Sequence, residues 1–518
     1  MEEKINMLRG FPTIIPALLF ILSACASSGP TVPTSIGPTV TPHPNASPTP
    51  TPFGPLASTP VSSATVPILA QTASPAPSVP QIPQVVFMPS QYTLNAVLDY
   101  ADHSLTVDES IFYQNATGEI LFALVLAVEP NIWSGCFVLD NLTVNGQEVT
   151  ETNLTRNRLE VPLPVALIPG GNINLSLHFD LHLPLADSHH VFGFKERQTN
   201  LVDWYPFIVP YEGGWVLHPA AEVGEHLSYN TANFDVTLLL TDLNLPITLA
   251  ASAPAEKFAE GWHYRLQNAR TFVFSASSAY QSASTTINGV TVTSYYFSED
   301  EQQGRTVLDE AAKALDTFGE FFGPSPYPSL SIVESPFFDG MEYDGLFFLS
   351  QDFYTTYDGT LLNNLIGIAV HETAHQWWFG SIGNDQALAP WLDEALATYS
   401  EELFYEKNSP DIAAWWVFRV DSYEPSGWVD TDIYGGGNFR TYANAVYLRG
   451  AQFLEALRQR IGDEAFFAFL KDYATQMAGK RATPADFFRI LREQTSTDLA
   501  DLLSLYFQHP YQDTGLSE

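Results

Sequence analysis

The chain has 518 residues, of which 45% are apolar, and it carries a formal net charge of −36 at pH 7. A negative field of this size repels phosphate groups and like-charged copies, which argues against nucleic acid as a partner and favours a monomer. The chain contains only two cysteines, Cys25 and Cys136, and lipidation of Cys25 (predicted below) leaves no pair for a disulfide framework.

Residues 1–25 have the pattern of a bacterial lipoprotein signal. A basic start with Lys4 and Arg9 precedes an apolar run, which ends in the lipobox-like sequence LSAC at Cys25. This pattern predicts cleavage before Cys25, lipidation of its thiol and an extracytoplasmic protein anchored to the bacterial cell membrane or outer membrane. The alternatives are an uncleaved membrane anchor and an ordinary signal peptide. Most alternatives to the lipoprotein interpretation still export the chain.

Residues 26–88 are rich in Pro, Thr, Ser and Ala and contain no Asp, Glu, Lys or Arg. Such a segment cannot bury enough apolar surface to order itself, and its prolines favour extended geometry. The composition predicts a disordered tether that holds the rest of the chain away from the membrane.

Residues 89–285 read as short strands with alternating apolar and polar residues, separated by turn sequences such as NATG, VNGQ and IPGG. This pattern predicts an all-β amino-terminal domain. His189 and His190 are adjacent, so on a strand they would point to opposite faces, and they are interpreted as loop residues rather than metal ligands.

From residue 286 to residue 518 the pattern changes to amphipathic helices with few strands. A long helix is predicted around EQQGRTVLDEAAKALDTF, followed by the strands SLSIVES and GLFFLS and then a series of helices. This order predicts a second domain of α+β class. GLFFLS is expected to be the edge strand along which an extended peptide lies.

The sequence HETAH at residues 371–375 carries the strongest functional signal. In a helix, residues i and i+4 lie one above the other, so His371 and His375 would aim both imidazoles at one metal ion. Glu372 is placed to reach a water on that metal as general base. Eighteen residues separate His375 from Glu394, which lies in a second predicted helix and would supply the third ligand of a zinc site.

The combination of HETAH with Glu394 in WLDEALATY resembles the gluzincin aminopeptidases of the aminopeptidase N type. In that family a Gly-Ala-Met-Glu-Asn segment precedes the zinc helix, and FDGMEYDGLFFLS occupies its place here. The family's Tyr-x-Lys-Gly segment has its counterpart in AVYLRG, which begins at Ala445. The resemblance implies a saddle-like sheet domain followed by a thermolysin-like zinc-peptidase domain, with one zinc ion per chain.

The resemblance also implies individual roles. Gly340, Met341 and Glu342 would line the substrate, with Glu342 capturing its free amino group. Tyr447 would donate to the oxyanion formed during hydrolysis. The chain departs from the family pattern at Tyr343, which stands where the family has Asn, and at Asp344.

The sequence therefore predicts a zinc aminopeptidase that acts on peptides outside the cell. The chain that follows Glu394 is expected to be too short for the long helical carboxy-terminal domain of much of the family, which would leave a more open cleft. A zinc endopeptidase, a hydrolase of another small substrate on the same scaffold and a non-catalytic surface binding protein remain as alternatives.

Overall fold

Alternating apolar side chains form the first strands. In the strand that begins at Ser90, the side chains of Tyr92, Leu94, Ala96 and Leu98 are buried, whereas the residues between them are more exposed. The computed structural model describes residues 88–242, 244–409 and 412–511, which all fall within one compact unit. The predicted signal segment, Cys25 and the tether up to residue 87 lie outside the described residues.

The strands of the described residues alternate with turns in the first part of the chain and with helices in the second. In chain order they are β1 Ser90–Asp99, β2 Ser104–Gln114, β3 Leu121–Ala127, β4 Phe137–Val144, β5 Gln147–Glu148, β6 Asn153–Thr155, β7 Arg158–Leu167, β8 Asn172–His182, β9 Gly193–Lys195, β10 Gln198–Leu201, β11 Phe207–Ile208, β12 Ala232–Leu240, β13 Thr248–Ala251, β14 Ala255–Phe258, β15 Gly261–Ala269, β16 Phe274–Ser277, β17 Gln281–Ile287, β18 Val290–Tyr296, β19 Ser329–Ser335, β20 Gly340–Tyr343 and β21 Leu346–Ser350.

The α-helices of the described residues all follow β18. They are α1 Glu301–Phe322, α2 Gln351–Thr355, α3 Asn364–Ala374, α4 Trp391–Asn408, α5 Ile412–Arg419, α6 Phe439–Ala443, α7 Arg449–Ile461, α8 Asp463–Gln476, α9 Pro484–Gln494 and α10 Ala500–Tyr506. Short 3-10 turns lie at Glu129–Ile132, Ser298–Asp300 and Asp421–Tyr423, and a π-helix at Asn444–Leu448 joins α6 to α7. Within the described part of the chain, no helix has the length and apolar character needed to cross a membrane.

The first part of the chain forms three sheets. The largest has eight strands in the order β14-β15-β12-β1-β2-β8-β4-β5, and the two smaller sheets have the orders β13-β16-β10-β9 and β11-β3-β7-β6. Only β1 and β12 pair in parallel within the large sheet. This architecture confirms the predicted all-β domain followed by an α+β domain.

The second part begins with a hairpin. Strands β17 and β18 pair antiparallel across Asn288 and Gly289, whose φ angles of 50° and 85° suit a tight hairpin turn. They belong to the five-stranded sheet of order β17-β18-β19-β21-β20. The predicted boundary between residues 285 and 286 therefore falls inside β17, because this hairpin pairs with β19 and not with the preceding sheets.

The expected edge strand is not at the edge. GLFFLS forms β21, which lies between β19 and β20, and the sheet ends at β20. The side chains from Leu346 to Leu349 are all buried, as expected for a strand that is covered on both faces. The expectation for GLFFLS was wrong, and the edge strand of this sheet is the short strand that contains Glu342.

The two parts of the chain are joined by a shared apolar core and by the side chain of a buried arginine. Phe348 of β21 and Phe379, which follows α3, pack into the core of the β-rich part. The buried guanidinium of Arg270 donates to the backbone oxygens of Phe379 and Lys480, both at 2.7 Å. These contacts fix the β-rich part against the helices that carry the candidate site.

Candidate metal centre

Helix α3 places two imidazoles side by side. The side chain of Asn363 caps the helix by accepting the N–H of Ile366 at 3.2 Å, and His371 and His375 lie one turn apart at its other end. Both histidines are almost fully buried, and their Nε2 atoms lie 3.1 Å apart. The predicted helix therefore brings the two rings together.

Helix α4 brings a carboxylate to the same point. Glu394 lies in its first turn, with Oε2 at 3.2 Å from Nε2 of His371 and 3.5 Å from Nε2 of His375. The ligand atoms of the three residues all lie within 4.8 Å of one another. The three residues predicted as metal ligands thus converge on one buried position.

The donor set fits zinc. The other ring nitrogen of each histidine is already engaged, since Nδ1 of His371 lies 3.0 Å from Oε1 of Glu401 and Nδ1 of His375 lies 2.8 Å from the backbone oxygen of Trp378. These partners leave both Nε2 atoms facing the cluster and hold the rings in place. Two imidazoles and one carboxylate are a common protein ligand set for catalytic zinc.

Glu401 is a supporting residue that the sequence analysis missed. It is fully buried on α4, and Arg419 of α5 donates to it from Nε at 2.7 Å and from Nη2 at 2.8 Å. Burial alone would raise the pKa of Glu401, but Arg419 and His371 lower it overall, so the side chain stays ionised. Its position two helical turns after Glu394 is the only sequence signal that could have identified it.

Glu372 is buried beside the ligands and is not fully hydrogen-bonded. Its Oε2 has no hydrogen-bond partner among the described residues, and burial raises its pKa well above the ordinary value. A Cβ atom on Gly340 would lie 2.1 Å from Oε1 of Glu372 and 2.6 Å from Cγ2 of Ile368, so a larger residue would force the strand or the Glu372 side chain to shift. An unpartnered buried carboxyl group next to a metal-ligand set is a typical catalytic arrangement.

The edge strand β20 brings Glu342 to the same place. Glu342 is buried, and its ligand atom falls within 4.8 Å of those of Glu372 and His375. The side chain of Gln386, another residue that the sequence analysis missed, donates to Oε1 of Glu342 at 3.2 Å. Met341, the preceding residue of β20, lines a cavity of about 200 Å³ that Glu342 also lines.

The departures from the family pattern have structural roles. Asp344 is fully buried, and its Oδ2 accepts the N–H and the hydroxyl of Thr271, both at 2.7 Å. Its Oδ1 accepts the hydroxyl of Tyr327. The backbone oxygen of Tyr343 accepts Nε2 of Gln376 at 3.1 Å, so both residues anchor β20 rather than reach the ligands.

Tyr447 lies in the π-helix between α6 and α7. Its hydroxyl donates to Oε1 of Glu394 at 2.6 Å, and its ring lies nearly parallel to that of His371 with centroids 5.9 Å apart. π-Helical turns often mark functional sites because they shift a side chain out of the regular helical path. The structure therefore places Tyr447 on the ligand cluster.

Comparison with known proteins agrees with this arrangement. Residues 306–506 match the model of the peptidase family M1 domain. Aminopeptidase M1-B of Oryza sativa subsp. japonica is 28% identical over 238 residues, which are 43% of this chain and 27% of that protein. Aminopeptidase N of Lactobacillus delbrueckii subsp. lactis is 24% identical over 287 residues, which are 51% of this chain and 34% of that protein. The chain thus spans about a quarter to a third of the length of these relatives.

Solved structures share the fold over most of the chain. The M1 zinc metallopeptidase from Deinococcus radiodurans superposes with a TM-score of 0.60 at 18% identity, covering 82% of this chain and 94% of that chain. A mutant of an M1 zinc metallopeptidase from the same organism, solved with a Tyr-Ser-Ala substrate, superposes with a TM-score of 0.59 at 19% identity over the same shares. Residues 306–506 therefore form a domain of peptidase family M1, the aminopeptidase N family of zinc metallopeptidases, and the solved structures show that the chain shares their two-part fold.

Proposed function

We propose that this protein is a zinc aminopeptidase that removes amino-terminal residues from peptides. One observation carries the proposal: the ligand set of His371, His375 and Glu394 lies in direct reach of two further buried carboxyl groups, Glu372 and Glu342. A site that only bound zinc would not need either of them. The aminopeptidases among the relatives, and the tripeptide bound to the mutant metallopeptidase, support a peptide substrate.

Zinc at this site would lower the pKa of a water molecule and polarise the peptide carbonyl group. Glu372 acts as general base, because its unpartnered Oε2 is free to accept the proton of the attacking water. Glu372 then passes that proton to the leaving amine, so the proton taken from water ends on the product. Gly340 keeps the carboxyl group in position by allowing the close approach of β20.

Tyr447 stabilises the negative charge that develops on the carbonyl oxygen. Its hydroxyl lies at the ligand cluster, 2.6 Å from Oε1 of Glu394, where a phenol can donate to an oxygen bound beside that carboxylate. Burial raises the pKa of Tyr447 well above its ordinary value, so the phenol keeps its proton and remains a donor.

Glu342 restricts cleavage to the first peptide bond of the substrate, so that one amino-terminal residue is removed at a time. A buried carboxylate beside Glu372 is an attractive partner for the substrate's ammonium group, and it places the first peptide bond over the ligand cluster. Gln386 orients the carboxylate through its hydrogen bond to Oε1. The substitution of Tyr343 for the family's Asn leaves zinc endopeptidase activity as the second candidate.

A panel of peptides with free and acetylated amino termini tests the proposal. Hydrolysis by the purified protein should require zinc, Glu372 and a free amino group, and Glu372→Gln should retain zinc while losing activity. Equal cleavage of acetylated peptides would move the assignment to endopeptidase. A zinc-loaded protein that cleaves none of the peptides would favour the binding-protein alternative or a substrate of another class.

We further propose that the enzyme works as a monomer outside the cytoplasm, held to a bacterial membrane by lipid on Cys25. The support is the signal pattern of residues 1–25 and the uncharged segment that follows it. Labelling of cells with a radioactive fatty acid should mark the wild-type protein but not Cys25→Ser, which should appear in the soluble extracytoplasmic fraction. Labelling of both proteins would contradict the anchor.

A further inference from the structure

A cavity of about 200 Å³ adjoins the position proposed for the substrate's amino group. Glu342 and Met341 of β20 form part of its lining, and the remaining walls come largely from the β-rich part of the chain. The side chain of an amino-terminal residue leaves the carbon atom next to the ammonium group. This cavity is therefore within reach of that side chain when the ammonium group lies against Glu342.

The lining of the cavity is strongly acidic. It includes four carboxyl groups and three histidines but neither lysine nor arginine. The four carboxyl groups belong to Glu129, Asp203, Glu225 and Glu342. Glu342 is committed to the amino group, which leaves three acidic side chains without a proposed partner.

Two of these carboxyl groups are held in fixed positions. The hydroxyl of Tyr229 donates to Oδ1 of Asp203 at 2.7 Å, and the amide of Asn157 donates to Oε2 of Glu129 at 2.8 Å. The only basic side chain paired with either of them among the described residues is His226, whose Nε2 lies 3.4 Å from Oε1 of Glu129. Asp203 and Glu129 are thus preorganised and have acceptor capacity to spare.

We infer that this cavity selects a basic amino-terminal residue, arginine or lysine, and that Asp203 and Glu129 are the residues that determine this preference. The inference rests on the proposed aminopeptidase function and adds the substrate class. A guanidinium or ammonium group in the cavity would form charge-assisted hydrogen bonds with these carboxylates. The aromatic wall formed by Trp133 and Phe192 suits the apolar stem and the cation itself.

An apolar side chain would bind less tightly than a basic one in the same cavity. It would remove water from several carboxyl groups and give them no hydrogen bonds in return, which is unfavourable. Burial raises the pKa of Asp203 to about 7, and a bound cation would favour its ionised form. The cavity is therefore better matched to a cation than to the side chain of leucine or methionine.

Fluorogenic amides of arginine, lysine, leucine and methionine test the inference. We expect wild-type kcat/KM to be highest for the two basic amides, and Asp203→Asn and Glu129→Gln each to lower the ratio of arginine to leucine roughly ten- to a hundredfold. Asp203 has a φ of 47°, a conformation that asparagine also tolerates, so Asp203→Asn should keep the local backbone. Asp102→Asn, on an exposed turn, is the matched control and should leave the ratio unchanged.

A binding measurement separates this inference from the proposed function. If no amide is hydrolysed, the proposed function fails, but the thermal stability of the zinc-loaded protein still reports on the cavity. Arginine amide should raise the melting temperature of the wild type more than leucine amide does, and Asp203→Asn should remove that difference. A wild-type preference for leucine, or an arginine-to-leucine ratio that neither substitution changes, would overturn the inference.

Discussion

Replacement of Glu401 by Gln tests how the ligand histidine is held. Glu401 is fully buried, with Oε1 3.0 Å from Nδ1 of His371, and it receives two hydrogen bonds from Arg419. A neutral amide keeps the size of the side chain but removes the charge that orients the imidazole ring and makes it a stronger ligand. We expect Glu401→Gln to weaken zinc binding without touching a ligand.

The size of the effect follows from these contacts. Loss of a hydrogen-bonding partner behind a metal ligand typically lowers metal affinity about 10- to 100-fold, which corresponds to roughly 1.4–2.7 kcal/mol. The substitution also breaks the ion pair with Arg419, whose side chain is 18% exposed and keeps the attraction of Asp339. Breaking a buried ion pair costs about 3–5 kcal/mol of unfolding free energy. The amide oxygen of glutamine can still accept one hydrogen bond, so we expect a cost near the lower end of that range.

The double variant Glu401→Gln with Arg419→Met separates the two effects. Removal of both charges should restore most of the unfolding free energy of the zinc-free protein, measured by urea denaturation. Zinc affinity, measured by competition with a chromophoric chelator, should stay low because His371 still lacks a charged partner. Recovery of zinc affinity together with stability would show that Glu401 acts only through folding.

Glu402→Gln is the matched control for this experiment. Glu402 is the next residue on α4, and burial raises its pKa to about 8, so the substitution removes little charge at neutral pH. Its charged neighbours are Glu455, Arg458 and Glu406, none of which belongs to the ligand set. If Glu401→Gln binds zinc as tightly as Glu402→Gln, the reasoning is refuted.

Three further substitutions test other parts of the site. Tyr447→Phe should lower kcat about 10²- to 10³-fold with zinc content unchanged, since it removes one donor to the oxyanion, and an unchanged kcat would exclude that role. Gly340→Ala should abolish most activity in steady-state assays while the protein still binds zinc, because the added Cβ would lie 2.1 Å from Oε1 of Glu372. Full activity of this variant would show that the strand can move away from Glu372. Asp344→Asn should reduce the unfolding free energy by about 1–3 kcal/mol in urea denaturation, because an amide nitrogen would then face a buried donor of Thr271 or Tyr327. An unchanged midpoint would argue against the anchoring role of Asp344.

Local sequence patterns determined much of this protein. Residues i and i+4 of any α-helix are neighbours, so the approach of His371 and His375 does not depend on the surrounding fold. Alternation of apolar residues likewise determined the strands of the β-rich part, since it requires only that one face of each strand be buried. The composition and charge were also sufficient to argue against nucleic acid as a partner.

Tertiary structure decided what depends on distant segments. The position of β20 at the sheet edge follows from the pairing of β21 with β19, which no local periodicity encodes. The support of His371 by Glu401 and Arg419 requires α5 to pack on α4. In the acidic cavity, Glu129 and Asp203 of the β-rich part lie beside Glu342 of β20. Only the folded chain brings such separated residues together, because a local sequence pattern specifies neighbours in the chain but not neighbours in space.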